Sequence, residues 1–123
     1  MIAQNLAVYF AYLDRGVCIV DTDINQSSLL WTEKRGGGIP KIPVFLAHTN
    51  NLLKWLLPIL RETYELIIID GSPSNHFLTK SVVHSSDIIL TPFLPSPVDW
   101  EITKQFIDKH IHITQNREKP VVI

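Results

Sequence analysis

Leu66-Ile67-Ile68-Ile69-Asp70 is a run of four apolar residues that ends in a carboxylate. Residues 17–21 repeat the pattern earlier in the chain as Val-Cys-Ile-Val-Asp. Short runs of this kind, rich in β-branched residues and without polar alternation, are typical of strands that are buried on both faces of a parallel sheet. We therefore predict two strands, the first of them buried on both faces, each with an aspartate at its carboxyl end.

Segments with helical spacing lie between the apolar runs. Residues 2–14 place apolar side chains about one helical turn apart, and Gly16 then supplies a helix stop. The same reasoning predicts further helices and strands, namely a helical turn at 29–31, helices at 50–64, 75–84 and 97 to about 115, and strands at 44–47, 88–90 (extending as far as 93) and from 121. Alternating strands and helices imply right-handed crossovers, so the predicted fold is α/β, a mostly parallel sheet with flanking helices.

Local signals refine the boundaries of these elements. Asn50 or Asn51 is expected to cap the third helix, and Pro58 to kink or interrupt it. Pro97 fits the first turn of the last helix. The glycine and proline residues of 36–43 predict a loop.

Length and composition limit the classes of protein to consider. A chain of 123 residues points to one domain at most, and 46% hydrophobic with 19% charged residues is ordinary for a soluble globular protein. The net charge of -1 indicates no basic tail, so any contact with DNA would come from a local patch. No apolar run approaches the ~20 residues of a membrane span, and the start lacks the basic region of a signal peptide, so we expect a cytoplasmic protein.

Cys18 is the only cysteine in the chain. A single cysteine excludes an internal disulfide and a thiolate zinc cluster. Because Cys18 lies inside an apolar run, we expect it to act as a small buried hydrophobic residue rather than as a reactive thiol.

Asp21 and Asp70 occupy equivalent positions at the ends of two predicted strands. In open α/β sheets, ligands bind at the carboxyl ends of the strands. A carboxylate there can hold Mg²⁺ beside a nucleotide phosphate. The alternative is that aspartate simply ends a strand, since it disfavours strand interiors, but two such residues at equivalent positions favour a site.

Four segments resemble conserved segments of the ParA/MinD ATPases. Residues 20–28, Val-Asp-Thr-Asp-Ile-Asn-Gln-Ser-Ser, resemble the D-x-D-x-Q switch segment, with one extra residue before the glutamine and no proline after the second Asp. Residues 67–73, Ile-Ile-Ile-Asp-Gly-Ser-Pro, resemble the Walker B strand and switch loop, I-D-x-P-P. Residues 91–99 are similar to P-x-x-P-S-x-x-D. Residues 1–16 are similar to the helix after the phosphate loop, T-T-x-A-x-N-L-A.

The resemblance implies a P-loop NTPase-like fold of the SIMIBI type and a Mg-dependent ATPase that partitions plasmid or chromosomal DNA. By this resemblance, Asp21 would lie near Mg²⁺ and Asp70 would hold a magnesium-bound water. Asp23 would help to position the attacking water. Gly71 would offer a backbone N–H near the γ-phosphate. The intact form would bind ATP between the two subunits of a homodimer, bind DNA non-specifically and work with a partition adaptor protein.

The family's phosphate loop, K-G-G-x-G-K-[ST], is not found in these 123 residues. Gly36-Gly37-Gly38 is no substitute, because Ile39-Pro40 follows it and no lysine stands in the required place. We therefore expect residues 1–123 to be a partial ParA-like nucleotide-switch domain that lacks its first strand and phosphate loop and does not bind ATP by itself. The missing strand lies in the middle of the family's sheet, so two neighbouring strands would lack a partner.

The sequence also allows functions other than that of a partial ATPase. One is a non-catalytic module that pairs with an intact ParA-like subunit, which the missing phosphate loop favours. Another is a relative with similar switch motifs, but an iron-protein reductase needs cluster cysteines and a cobyrinic-acid-type synthase needs a further domain. Ser72 and Ser74 lack the G-x-S-x-G context of a hydrolase nucleophile, and the five histidines show no metal-ligand spacing.

Overall fold

The computed structural model describes residues 2–71, 76–112 and 121–122. The chain divides into two compact units, Met1–Leu78 and Thr79–Ile123. Residues 72–75 of the predicted switch loop lie outside the described residues, as does the predicted end of the last helix beyond 112.

The first unit contains three helices, three strands and the start of a fourth helix. In chain order its elements are α1 (Ile2–Tyr12), β1 (Val17–Asp21), α2 (Ser27–Lys34), β2 (Val44–Leu46), α3 (Asn50–Thr63), β3 (Leu66–Asp70) and the start of α4 (His76–Ser85). The second unit continues α4 and adds β4 (Ile89–Leu90), α5 (Pro97–Phe106), a π-helical segment (Ile107–His112) and β5 (Val121–Val122).

The sheet of the first unit has the order β2-β1-β3, and both of its strand pairs are parallel. The register pairs Val17 with Leu66 and Asp21 with Asp70, while Ile19 lies opposite Val44 of β2. β1 is buried along its whole length because it has a neighbour on both sides. The α/β prediction is confirmed at this level, as a three-stranded parallel sheet flanked by helices.

Helices cover both faces of this sheet. On one face, α1 and α2 pack against odd-numbered residues of β1 and even-numbered residues of β3. The apolar cluster on this face includes Ala7, Val17, Ile19, Trp31, Ile42, Leu66 and Ile68. α3 contacts β3 and buries Leu53, Leu56, Leu57 and Leu60. Phe45, whose neighbour Val44 belongs to the first face, contacts the ring of Tyr64 just after α3, with centroids 6.1 Å apart. Since side chains alternate along a strand, α3 lies on the opposite face.

The third helix begins and continues differently from the sequence-based prediction. Thr49, and not Asn50 or Asn51, is its N-cap, because the hydroxyl of Thr49 accepts the backbone N–H of Leu52 at 3.1 Å. The helix then runs through Pro58 to Thr63 without a break. Pro58 has no N–H, so the helix lacks one backbone hydrogen bond there. The free energy gained by burying four leucines on one face outweighs that loss.

The second unit contains a two-stranded parallel sheet, in which β4 pairs with β5. Its apolar cluster is built on Val83, Ile89 and Ile111. β4 ends at Leu90, so the strand does not extend to Phe93. Pro97 does lie in the first turn of α5, as predicted.

The S-x-x-D part of the family-like segment at residues 91–99 forms the cap of α5. The Ser96 hydroxyl accepts the backbone N–H of Asp99 at 3.1 Å and donates to the Asp99 carboxylate at 2.5 Å.

None of the helices in residues 2–71 and 76–112 combines the length and the apolar character that a membrane span requires.

The thiol of Cys18 is fully buried in β1, and this burial raises its pKa from 9.0 to about 12. At pH 8 the native chain should therefore react with a disulfide reagent about a thousandfold more slowly than the chain unfolded in urea, because only the thiolate reacts. Since the raised pKa favours the neutral thiol, the stability linked to Cys18 is complete below pH 9 and is lost as the pH rises toward 12. Equal labelling rates in the two states would show that the thiol is accessible.

Candidate functional site

Asp21 and Asp70 lie side by side at the carboxyl edge of the first sheet. They are register partners on β1 and β3, and both belong to the first unit. Asp21 is fully buried, whereas Asp70 is half-buried. The sequence-based expectation that the two carboxylates meet at one edge is therefore met by the structure.

The Asp21 carboxylate accepts hydrogen bonds from three backbone N–H groups. Its Oδ1 accepts from Asp23 at 2.9 Å. Its Oδ2 accepts from Ser28 at 3.0 Å and from Leu29 at 3.4 Å. Asp21 thus serves the first turn of α2 as a cap that stands seven residues before Ser28. A negative charge is favoured at a helix N-terminus, where N–H groups lack partners within the helix.

Asp23 holds the turn between β1 and α2. Its Oδ1 accepts the backbone N–H of Asn25 at 3.1 Å, and its Oδ2 accepts the Ser27 hydroxyl at 3.1 Å. Gln26 follows with φ of 56°, in the left-handed region, and its N–H donates to the Asp23 carbonyl. The D-x-D segment is therefore one compact turn in which the first Asp is buried and the second lies nearer to solvent.

Ser28 connects four secondary-structure elements at this edge. Its N–H donates to Asp21 of β1, and its hydroxyl donates to Oδ2 of Asp70 at 2.7 Å. The side-chain amide of Gln4, in the first turn of α1, donates to the same hydroxyl at 2.7 Å. The Gln4 carbonyl oxygen is buried and has no donor among the described residues. The buried Gln4–Ser28 pair therefore holds the Asp70 carboxylate in place, through the hydrogen bond that the Ser28 hydroxyl donates.

Thr22 joins the same edge from the end of β1. Its hydroxyl and its N–H both donate to the carbonyl of Asp70, at 2.7 Å and 3.1 Å. Gly71 follows Asp70 and is exposed, and apart from its chain neighbours no described residue has an atom within 4 Å of the position that a Cβ would take there.

Asp21 and Asp70 offer a cation two carboxylates, which is fewer than a complete set of protein ligands. The described residues include no group of three or more His, Cys, Asp or Glu side chains that could hold a metal ion. Mg²⁺ commonly takes one or two carboxylates, keeps several waters and completes its shell with substrate phosphates. The Asp21 oxygens already accept N–H groups, so Asp70 is the better placed of the two to meet a magnesium-bound water.

A shallow pocket of about 380 Å³ opens near the end of β2. It is lined by His48, Thr49, Asn50, Asn51 and Phe77. The imidazole Nδ1 of His48 and the side-chain carbonyl of Asn50 are buried without a partner among the described residues. The sequence predicted only a loop or helix end at His48, and it gave no sign of this pocket.

Ser28 and Gln4 are the site residues that sequence reasoning missed. Ser28 is the last residue of the D-x-D segment, and Gln4 fills a variable place in the family's helix pattern. Nothing local marks either one, because their contacts join residues 24 and 42 positions apart. Comparison with models of known protein families and with the sequences of characterised proteins finds no match to this chain.

Proposed function

We propose that this chain is the switch-bearing part of a ParA/MinD-type ATPase that acts in the partitioning of plasmid or chromosomal DNA. The observation that carries the proposal is the in-register pair of Asp21 and Asp70, with the D-x-D turn folded onto it. A parallel sheet with two carboxylates at its carboxyl edge is a suitable place for Mg²⁺ and nucleotide phosphates. The proposed fold type is accordingly that of the P-loop NTPases.

Each carboxylate has a distinct role in this proposal. Asp70 would hold a magnesium-bound water, oriented by the hydroxyl of Ser28. Asp23, on the more exposed side of the turn, would position the attacking water. Asp21 would act by holding the turn and the start of α2, because its oxygens are engaged by backbone N–H groups. Gly71 would offer its N–H to a γ-phosphate.

ATP binding needs a phosphate loop, which these 123 residues do not contain. The loop's N–H groups cradle the phosphates and its lysine neutralises their charge. We therefore propose that the chain alone neither binds nor hydrolyses ATP. ATP, Mg²⁺, a homodimer, non-specific DNA and a partition adaptor protein belong to a form that includes the loop.

A fusion that adds the loop tests the proposal. An apolar five-residue strand followed by the sequence K-G-G-x-G-K-T-T is joined to Ile2, so that the second T replaces Met1, and ATP hydrolysis is measured with and without Mg²⁺. We expect Mg-dependent hydrolysis by the fusion and none by the 123-residue chain. Asp70→Asn should lower the rate by about a hundredfold or more, in the range seen when one transition-state contact is removed. Asp87→Asn, an exposed aspartate in the second unit, should not change it.

Two results would contradict the proposal. One is a fusion that folds, as judged by circular dichroism, yet binds no ATP. The other is micromolar binding of Mg·ATP by the unmodified chain that is abolished by Asp70→Ala, since the chain would then hold nucleotide without a phosphate loop.

A second candidate function is a non-catalytic module that binds a partner protein. It is favoured by the saturation of the Asp21 carboxylate with backbone N–H groups. In that case the carboxylates maintain the fold of the turn, and the fusion would not hydrolyse ATP.

A further inference from the structure

The three aspartates of the site differ in how many of their carboxylate oxygens are already engaged. Both oxygens of Asp21 accept backbone N–H groups. Both oxygens of Asp23 also accept hydrogen bonds, one from a backbone N–H and the other from a hydroxyl of its own turn. In Asp70, Oδ2 accepts the Ser28 hydroxyl, and no donor among the described residues reaches Oδ1. Oδ1 of Asp70 is therefore the carboxylate oxygen best placed for a further contact.

The Ser28 hydroxyl that binds Oδ2 has a fixed direction. Ser28 is fully buried and Gln4 is only 4% exposed, so bulk water does not compete for either side chain. A hydroxyl has one proton to donate, and an ionised carboxylate can only accept. The Ser28 proton therefore goes to Asp70, at an oxygen–oxygen distance of 2.7 Å, and the hydroxyl oxygen must accept from another group.

Gln4 supplies the donor for that hydroxyl oxygen. Its Nε2 lies 2.7 Å from Oγ of Ser28. The opposite orientation of the amide would place its carbonyl oxygen against Oγ with no proton between them, because the proton of Ser28 is committed to Asp70. The hydrogen bonds thus run in one direction along a relay of Gln4, Ser28 and Asp70, and each bond polarises the next.

Secondary structure holds every member of this relay in place. Gln4 lies in the first turn of α1, and Ser28 lies in the first turn of α2, where its own N–H binds Asp21. The carbonyl of Asp70 accepts both the N–H and the hydroxyl of Thr22, which fixes the main chain at the end of β3. With its main chain and its Oδ2 both fixed, the Asp70 carboxylate keeps one orientation, and its Oδ1 has a defined position.

We infer that Gln4 is a positioning residue for Asp70, which acts through Ser28 to keep Oδ2 engaged and to present Oδ1 to a magnesium-bound water. The inference rests on the proposed function, to which it adds the contacting oxygen and a residue of α1 that no motif marks. Carboxylates that serve a metal site depend on such hydrogen-bond partners, and loss of one partner commonly lowers metal affinity or activity by about 10–100-fold. Because Gln4 acts only through Ser28, the two residues should behave as one unit.

NMR spectra of the 123-residue chain test the relay without nucleotide. The Ser28 hydroxyl proton is buried and hydrogen-bonded, so it should exchange slowly with water and show a nuclear Overhauser effect to the Gln4 amide protons. Gln4→Leu should remove that cross-peak. The matched control Asn5→Leu removes an exposed amide from the next residue of α1 and should leave it unchanged. A Ser28 hydroxyl proton that exchanges too fast to be detected would overturn the inference.

Hydrolysis by the fusion that carries the phosphate loop tests the role of the relay in the reaction. Gln4→Leu should lower kcat about tenfold and raise the Mg²⁺ concentration needed for half of the maximal rate. The KM for ATP should stay within about twofold of the parent value, because the relay acts on the cation's water and not on the nucleotide. Asn5→Leu should change none of these quantities.

A second variant keeps the test independent of how well Gln4→Leu folds, which circular dichroism verifies. Ser28→Ala removes the middle of the relay and should have the same effect on kcat and on the Mg²⁺ requirement as Gln4→Leu. The double variant should lose no more than either single variant, whereas separate structural losses would add. Additive losses would overturn the inference, because Gln4 and Ser28 would then act independently.

Failure of this inference and failure of the proposed function give different results. An active fusion whose kcat and Mg²⁺ requirement do not respond to Gln4→Leu overturns the inference and leaves the proposed function standing. A folded but inactive fusion overturns the proposed function, and this inference with it. A protected Ser28 hydroxyl proton, together with a loss of kcat that Gln4→Leu and Ser28→Ala share, supports both.

Discussion

Replacement of Asp21 by alanine should lower the free energy of unfolding of the first unit by about 4 kcal/mol, because three N–H groups lose their acceptor and a buried donor left unpaired costs about 1–3 kcal/mol. Asp21 is fully buried, and its carboxylate accepts N–H groups from Asp23, Ser28 and Leu29. Alanine leaves those donors without this acceptor, and the N–H of Ser28 belongs to a fully buried residue that water does not reach. The start of α2 and the turn before it should loosen together.

Urea unfolding measured by tryptophan fluorescence gives the free energy. A Trp100→Phe background leaves Trp31 and Trp55, both in the first unit, as the only reporters. This choice matters because two units need not unfold in one transition.

Two further variants separate charge from shape. Asp21→Asn keeps the size of the side chain but replaces one acceptor oxygen with a donor, so an intermediate loss is expected. Asp23→Ala removes a turn acceptor nearer to solvent and should cost about 1 kcal/mol, as other capping residues do. A loss below about 1 kcal/mol for Asp21→Ala would show that its hydrogen bonds contribute little net stability.

The strands β1 and β3 were the most predictable part of this fold. A parallel strand with helices on both faces is apolar on both faces, so both strands stand out in the sequence, although β3 lies at the edge of the sheet. Their terminal aspartates were predictable for the same reason, since parallel strands end at one edge. The sequence therefore located Asp21 and Asp70 together, and the register confirms it.

The connections around Asp70 were not predictable from local patterns. Ser28 and Gln4 meet only because α1 and α2 share one face of the sheet, which is a tertiary fact. The length of α2 was also underestimated, as a turn at 29–31 instead of Ser27–Lys34. Its N-terminus is capped from Asp21 rather than by an adjacent residue, and a search for a local cap does not find such a partner.

At the start of α3 the sequence offers several N-cap candidates, Asn50 and Asn51 among them, whereas at the start of α2 it offers no local cap. Both are good N-cap residues, yet Thr49 takes the position because its extended backbone and hydroxyl reach Leu52. Three adjacent polar residues of similar preference leave the boundary undecided by one or two positions, and the end of β2 settles it.

Replacement of Ile19 by alanine should also destabilise the first unit by about 4 kcal/mol, near the upper part of the range for large-to-small core changes. Ile19 is fully buried in the middle of β1, between β2 and β3, and it packs on Ala7 and Ile42. The same cluster includes Ala7 of α1 and Ile68 of β3, which the helix and the sheet hold in place, so the cavity would not collapse well.

Ile24→Ala provides a matched control for this substitution. Ile24 lies in the turn after β1 and is 76% exposed, so the same loss of side-chain atoms should change stability by less than about 0.5 kcal/mol. Both variants are unfolded in urea in the Trp100→Phe background. Equal losses at the two positions would mean that β1 is not the centre of the core, and the sheet order β2-β1-β3 would then need to be revised. A large difference would instead support the central place of β1, on which the alignment of Asp21 with Asp70 depends.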